Sequence, residues 1–162
     1  MTTYENLLRI IRLSFENEPF NTLRLLYGEE VDSQIPGGTC SEKTLSFIRI
    51  ARESGFTADL HTAFIGGEEI HRLARLEIKQ QTYFVDVGNG WPAMTPYPDN
   101  QPVHFQCFGM GFRTEVDESE VIVYHTKEGI EKMQMRIPRR QKDSSKIIED
   151  IRSRFDSGRT YP

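Results

Sequence analysis

The chain has 162 residues, of which 37% are hydrophobic and 27% charged, and its formal net charge is −4. Acidic and basic residues are interspersed without a basic stripe, which argues against a nucleic-acid partner. No apolar run approaches the roughly 18 residues needed to cross a bilayer, and the N-terminus lacks the pattern of a signal peptide. The two cysteines suggest no disulfide framework, so we expect a cytoplasmic protein with reduced thiols. The length suits one domain or one and a half.

Two helices are predicted in the N-terminal part of the chain. Thr2 and Glu5 have the spacing of a capping box, and the apolar residues that follow recur at helical intervals. A second helix is predicted over about residues 40–54, because Thr39 and Glu42 repeat the capping signature and apolar positions again follow the helical period. This second helix therefore begins at a cysteine.

After the second helix the hydrophobic pattern changes from helical to alternating, which is typical of strands. Strands are predicted over about 56–64, 70–78 and 82–87, and Gly66-Gly67 separates the first two. The short connection near Lys79-Gln80 predicts that the last two strands form an antiparallel hairpin.

An irregular, proline-rich segment follows, and we take it as the boundary between two parts of the chain, residues 1–90 and residues 91–162. Four more short strands are predicted after it, and then a last helix over 144–155 that ends near Gly158. Helices followed by a run of antiparallel strands indicate an α+β fold.

The segment around Cys40 has the features of a reactive thiol. In the run IPGGTCSE, a proline and two glycines favour a tight turn that delivers the cysteine to the first turn of a helix. The positive end of the helix dipole favours the thiolate, which is the nucleophilic form of cysteine. A small buried structural residue is the alternative for Cys40 at this point. Cys107, in the strand-like run HFQCF, is expected to be inert core.

His71 and Asp86 provide a candidate base and a candidate group to orient it. A two-residue hairpin centred at Lys79-Gln80 places residue 71 opposite residue 88, so that Asp86 lies diagonally across on the same face of the sheet. A carboxylate in the apolar run YFVDVG also needs a partner. Taken singly, His71 also fits a solvent-facing strand residue, and Asp86 also fits a carboxylate that accepts hydrogen bonds from turn amides.

Together these segments resemble the arylamine N-acetyltransferase family. GGTCSE, IHRLARL and TYFVDVGNG correspond, in the same order, to the family's R-G-G-x-C-x-E-x-N motif, its H-x-L strand and its D-V-G-F-G-like strand end. ENEPFNTL at 16–23 resembles the family's P-F-E-N-L segment, and ESGF at 53–56 resembles the glycine–aromatic step after the nucleophile helix. The resemblance runs over most of residues 4–160 and is most specific at the three catalytic segments.

The resemblance implies N-terminal helices that deliver the catalytic cysteine to an antiparallel sheet or incomplete β-barrel, with a core like that of cysteine proteases and transglutaminases. It implies that Cys40 takes an acetyl group from acetyl-CoA, that His71 activates the thiol and that Asp86 orients the imidazole. An arylamine or hydrazine then attacks the thioester in a ping-pong cycle. No metal is expected, because the cysteines and histidines lack close ligand spacing.

The resemblance also implies where the two substrates bind. The family's loop before its histidine lies against the CoA phosphates, and here that loop contains Gly66, Gly67 and Glu68. Two glycines suit a close approach of backbone to an anion. Asn89, after the Asp-Val-Gly step, and Phe64, on the strand before the loop, match positions that line the family's acceptor pocket. A plain hairpin turn and a core phenylalanine are the alternatives.

The sequence departs from the family pattern at several places. Pro36 replaces the arginine before the two glycines, Thr44 replaces the asparagine after C-x-E, and the stretch between PFNTL and PGGTC is shorter than usual. The sequence stops at RTYP, where the family continues into the rest of a β-barrel and a helical C-terminal lid. We therefore expect an open site or one closed by a second subunit, and a homodimer that covers the exposed strand edges.

Two other functions stay open on the sequence alone. Thiol hydrolases and transglutaminase-like acyl-transfer enzymes use the same Cys-His-Asp arrangement, and a fold does not fix its chemistry. A non-catalytic remnant that binds a small molecule or a partner chain is the third alternative.

Overall fold

A computed structural model describes residues 3–27 and 35–156, and within them the chain has the α+β architecture that the sequence predicts. None of the helices in these two described ranges is long and apolar enough to cross a membrane. The helices are α1 (Thr3–Asn17), α2 (Leu23–Tyr27), α3 (Cys40–Glu53) and α4 (Ser144–Asp156). The strands are β1 (Thr57–Ile65), β2 (Glu68–Ile78), β3 (Gln81–Val85), β4 (Tyr97–Pro98), β5 (His104–Cys107), β6 (Met110–Val116), β7 (Glu120–Lys127) and β8 (Ile130–Pro138).

The N-terminal helix is held by its apolar face. Leu7, Ile10 and Ile11 recur at intervals of three and four residues, and all three are buried in a cluster with α3, α4 and β1–β3. Burial of each such side chain contributes roughly 2 kcal/mol. Helix α3 is confirmed at the predicted position and begins at Cys40. Thr2, the predicted cap of the first helix, lies outside the described residues.

The eight strands form one antiparallel sheet in the order β4-β3-β2-β1-β8-β7-β6-β5. It is a half-barrel whose two parts meet at a single residue pair, Phe64 and Arg136. Alternate residues of a strand point to opposite faces, so β2 contributes to two clusters. Ala74 packs into the first core cluster, which lies between the sheet and the helices, and Leu73 packs into the second core cluster, which β6–β8 complete.

The β2–β3 hairpin has the register that the sequence predicts. Lys79-Gln80 forms its turn, and both residues have positive φ, 49° and 67°, as a type I′ turn requires. Ile78 pairs with Gln81 on either side of the turn. Continued along the strands, this register places His71 opposite residue 88 and fixes which side chains share a face.

The hydrophobic pattern does not predict two short elements, α2 and β4. β4 consists of Tyr97–Pro98 alone and pairs with β3, so the proline-rich segment adds an edge strand to the sheet. The last helix is confirmed over 144–156, and its predicted end at Gly158 lies outside the described residues. The division of the chain at residue 90 stays a prediction.

The open edges of the sheet generate a first prediction. β4 and β5 end the strand order, and neither pairs with a further strand in the part of the chain that the structure describes. An unpaired edge presents backbone N–H and C=O groups that another chain can bind. We propose that two copies associate through such an edge, so light scattering at micromolar concentration should give the mass of a dimer. A monomeric mass under these conditions contradicts the proposal.

Candidate active site

Cys40 is presented by a loop that requires glycine. Gly37 has a positive φ of 85°, and a Cβ atom there would lie 1.8 Å from the carbonyl oxygen of Pro19. The backbone N–H of Gly38 donates to the Pro19 carbonyl at 3.2 Å, and the N–H of Asn21 donates back to the Gly38 carbonyl at 2.9 Å. The Pro-Gly-Gly run is thus bound to the ENEPFNTL segment, and this contact fixes where α3 begins.

The start of α3 is capped by Glu42. The carboxylate of Glu42 accepts the backbone N–H of Thr39 at 2.9 Å, as the predicted capping box requires. Cys40 is therefore the first residue of the helix, where the helix dipole favours a negative charge. The residue is 8% exposed, so its sulfur is largely shielded from bulk water.

His71 and Asp86 form a buried pair beside Cys40. His71 Nε2 and Asp86 Oδ1 are 2.8 Å apart, and the two side chains are 6% and 0% exposed. Asn89 Nδ2 donates to the second carboxylate oxygen at 3.2 Å. Cys40 and His71 line the same pocket, and the interaction with His71 lowers the pKa of Cys40. The structure thus brings the three residues predicted as catalytic close together, and their roles stay a prediction.

The electrostatics of these three residues favour a thiolate–imidazolium pair. Burial by itself would lower the pKa of His71, but the charge and hydrogen bond of Asp86, together with those of Cys40, raise it to about 10. Burial by itself would raise the pKa of Cys40, but the hydrogen bond and charge of His71, with a backbone hydrogen bond and the charge of Arg72, lower it. At neutral pH each partner therefore stabilises the charged form of the other.

Gly88 allows the end of the hairpin to approach the nucleophile closely. A methyl group at this position would lie 2.8 Å from Cβ of Cys40 and 3.0 Å from the carbonyl oxygen of Arg72. The same carbonyl accepts the Thr44 hydroxyl at 3.0 Å. Thr44, which stands where the resembled family has asparagine, therefore ties α3 to the backbone of β2.

A pocket of about 170 Å³ opens beside Cys40 and His71. A cavity of about 150 Å³ is enough for a benzene molecule, so this pocket admits one aromatic ring or a short acyl group. Its apolar walls are Phe20, Ile65 and Ile70, and its polar lining includes Thr22, Thr39 and Asn89.

The structure places the two residues predicted for the acceptor pocket in different pockets. Asn89 lines the Cys40 pocket, but Phe64 lines a separate pocket with Thr62 and Lys142. Phe64 and Thr62 are two residues apart on β1 and therefore point to the same face. Ile65 is two residues from Ala63, which pairs with His71, and it lines the Cys40 pocket. The predicted acceptor-pocket roles of Asn89 and Phe64 stay predictions.

The loop predicted to contact CoA is the turn between β1 and β2. Gly66 and Gly67 have positive φ, 61° and 88°, and a methyl group at either position would meet no atom within 4 Å. Glu68 and both glycines are exposed, and the pocket residues Ile65 and Ile70 flank the turn. The turn therefore stands at the rim of the pocket, and its contact with CoA stays a prediction. No metal-binding group of His, Cys, Asp or Glu occurs in residues 3–27 and 35–156.

Arg72 is the neighbour of the site that the sequence pattern does not single out. It is 1% exposed, and its Nη1 donates to Thr62 Oγ1 at 2.8 Å and to the backbone carbonyls of His71 and Glu69 at 3.0 and 3.2 Å. The available signal is an arginine in the middle of the otherwise buried strand EEIHRLARLEI. A buried charge in such a position requires partners, which the sequence alone does not name.

Comparisons with known proteins agree with this fold. No family model matches the sequence, and no curated protein matches it. The chain is similar to solved arylamine N-acetyltransferases from Bacillus cereus (TM-score 0.75, 17% identity), Salmonella typhimurium (0.70, 16%) and Mycobacterium abscessus (0.78, 14%). The similarity covers 96%, 99% and 98% of this chain but 70%, 71% and 64% of those three chains.

The similarity confirms, for the fold, the resemblance that the sequence motifs predict: the chain folds like arylamine N-acetyltransferases. The Bacillus cereus protein is described as having a Cys-His-Glu catalytic triad. Here the side chain that pairs with His71 is an aspartate, Asp86.

The electrostatics of Cys40 generate a second prediction. Because its thiolate is stabilised, Cys40 should react with iodoacetamide faster than Cys107 at pH 7, and its rate should reach half-maximum below pH 9.0, the ordinary thiol pKa. Cys107 is expected to lie in the core; it packs beside the second core cluster but is only half-buried. Peptide mapping by mass spectrometry compares the alkylation rates of Cys40 and Cys107. Equal rates contradict a reactive role for Cys40.

The close contact at Gly88 generates a third prediction. Gly88→Ala should lower the free energy of unfolding by about 1–3 kcal/mol and slow alkylation of Cys40, because the added methyl forces α3 away from the hairpin. Gly90→Ala is the matched control for stability, since a methyl there would meet no atom within 4 Å. Denaturant unfolding measures both variants. Equal stability of the two contradicts the close contact.

Proposed function

We propose that this protein transfers acyl groups through a thioester on Cys40, as an arylamine or hydrazine N-acetyltransferase that uses acetyl-CoA in a ping-pong cycle. The observation that carries the proposal is the buried hydrogen bond between His71 and Asp86 beside Cys40, which begins a helix and lines an apolar-walled pocket with His71. The likeness of the fold to solved arylamine N-acetyltransferases supports this chemistry over other reactions of the same triad.

In the first half-reaction, the Cys40 thiolate attacks the thioester carbonyl of the donor. The bond between that carbon and the CoA sulfur breaks, and the His71 imidazolium gives its proton to the departing thiolate. The acetyl group is then held on Cys40, and His71 is left neutral. Backbone N–H groups at the start of α3 and in the 88–90 segment are the candidate donors to the oxyanion.

In the second half-reaction, the amine attacks the acetyl-enzyme. His71, now neutral, accepts the proton that the amine loses as the new C–N bond forms, and the C–S bond to Cys40 breaks. The thiolate–imidazolium pair is thereby restored. Asp86 holds the imidazole in place through both steps, because its carboxylate pairs with Nε2.

The pocket supports a flat, weakly polar acceptor. Phe20, Ile65 and Ile70 provide apolar contact for one ring, and Asn89 provides an amide near the acyl group. An arylamine is uncharged at neutral pH, so it can enter such a pocket without the desolvation cost of an ammonium group. In this proposal the donor binds at the rim, where the backbone of the turn that contains Gly66, Gly67 and Glu68 is exposed.

Acetylation of the intact protein is the fourth prediction and the test of this function. Incubation with acetyl-CoA should add one acetyl group, detected by intact-protein mass spectrometry, and an arylamine or hydrazine should remove it. Cys40→Ala should abolish the addition, whereas Cys107→Ser should retain it. Asp86→Asn should slow the addition roughly 100-fold or more, because the imidazole loses its orienting carboxylate.

The other outcomes separate the alternatives. Fast alkylation of Cys40 without acetylation contradicts the proposed donor and favours a thiol hydrolase or a transglutaminase-like enzyme on the same triad. Slow alkylation together with no acetylation contradicts catalysis and favours a binding protein. Acetylation that persists in Cys40→Ala contradicts the assignment of the nucleophile.

A further inference from the structure

Arg72 places a buried positive charge next to the proposed nucleophile, on the face of the sheet opposite the imidazole. His71 and Arg72 are consecutive on β2, so their side chains leave the strand in opposite directions. His71 turns to Asp86, and the Arg72 guanidinium pairs with the Asp150 carboxylate of α4. One strand thus links the His71–Asp86 pair on one face to a helix on the other.

The backbone of Arg72 is part of the nucleophile's surroundings. Its carbonyl accepts the Thr44 hydroxyl of α3 and lies against Gly88, and its backbone also hydrogen-bonds to Cys40. The residue that carries the buried guanidinium therefore also contacts the start of α3 through its backbone. The guanidinium has no freedom to swing into water, since Arg72 is 1% exposed.

The charge of Arg72 is held in place by neutral groups and one carboxylate. One guanidinium nitrogen donates to Thr62 Oγ1 and to the carbonyls of Glu69 and His71, and the other pairs with Asp150. Nε has no hydrogen-bond partner among the described residues. The Asp150 side chain is 37% exposed, so water screens this ion pair on one side. A change at Asp150 can therefore alter the balance of charge near Cys40 without opening the core.

We propose that Arg72 is a positioning residue that stabilises the Cys40 thiolate, and that its ion pair with Asp150 lets helix α4 set the strength of this effect. The proposal rests on the role of Cys40 as nucleophile but not on the identity of the acyl donor. Two opposite consequences follow. Loss of the guanidinium weakens the thiolate, and loss of the Asp150 charge strengthens it, because the guanidinium is then uncompensated.

Other charged groups also lie near the site, and the proposed variants leave each of them in place. His71 and Asp86 face Cys40 from the hairpin, and the buried Lys43 of α3 interacts with Asp86. On the α4 face, Lys142 Nζ and a Glu69 carboxylate oxygen are 2.5 Å apart. Variants of Arg72 and Asp150 leave all of these residues unchanged, so a shift in thiolate reactivity reports on the Arg72–Asp150 pair.

The fifth prediction uses the pH dependence of Cys40 alkylation in a Cys107→Ser background, without any acyl donor. Asp150→Asn should move the half-maximal rate to lower pH and raise the rate below that point about threefold or more, equal to about half a pH unit. Glu149→Gln is the matched control, because it removes the same charge from an exposed neighbour on α4 and should leave the profile unchanged.

Arg72→Met should move the profile to higher pH by a similar amount, and Arg72→Lys, which keeps the charge, should lie closer to the parent protein. A purely structural role lowers the melting temperature of these variants without shifting the profile, and that result overturns the proposal. Shifts of Arg72→Met and Asp150→Asn in the same direction overturn it too. If Arg72→Met does not fold, Asp150→Asn against Glu149→Gln still decides the question. Failure of acetylation leaves these measurements intact.

Discussion

The hydrogen bond between His71 and Asp86 is the interaction on which the rest of the site depends. A carboxylate with no exposed surface and an almost completely buried imidazole are tolerated only as a pair, and loss of one partner of such a pair costs about 3–5 kcal/mol. The same bond raises the pKa of His71 to about 10, and the imidazolium in turn lowers the pKa of Cys40. The stability of the fold and the reactivity of the Cys40 thiol therefore both depend on the hydrogen bond between His71 and Asp86.

The stability that His71 contributes has a defined pH window. Its pKa is raised from the ordinary value of 6.5, so the contribution is complete below about pH 6.5 and is lost as the pH rises through about 10. The lowered pKa of Cys40 acts in the opposite sense: its contribution is present above the ordinary thiol pKa and is lost as the pH falls through the folded-state value. Between the lowered pKa of Cys40 and the raised pKa of His71, the two side chains form a thiolate–imidazolium pair.

Local signals made much of the fold and of the His71–Asp86 pair predictable. The capping box at Thr39 and Glu42 gives the first residue of α3, and a two-residue turn gives the hairpin register that brings His71 to Asp86. The rest depends on contacts between distant segments. The two-residue strand β4 pairs with β3 across the proline-rich segment, and the pairing of Ala63 with His71 decides that Ile65, and not Phe64, lies on the face of His71. Arg72 stands in a strand that the sequence predicts, but no local pattern identifies the groups that surround its guanidinium.

The type I′ turn at Lys79-Gln80 makes the length of the hairpin a feature of the site. Side chains alternate along a strand, so one residue more or fewer in this turn would rotate every side chain of β3 to the other face. Asp86 would then point to the helices, and His71 would be buried without its carboxylate. Substitutions at Lys79 and Gln80 preserve the register if the new residues tolerate positive φ. An insertion or a deletion in the turn does not preserve it. A change in spacing would thus separate His71 from Asp86 even in a chain that keeps Cys40, His71 and Asp86 unchanged.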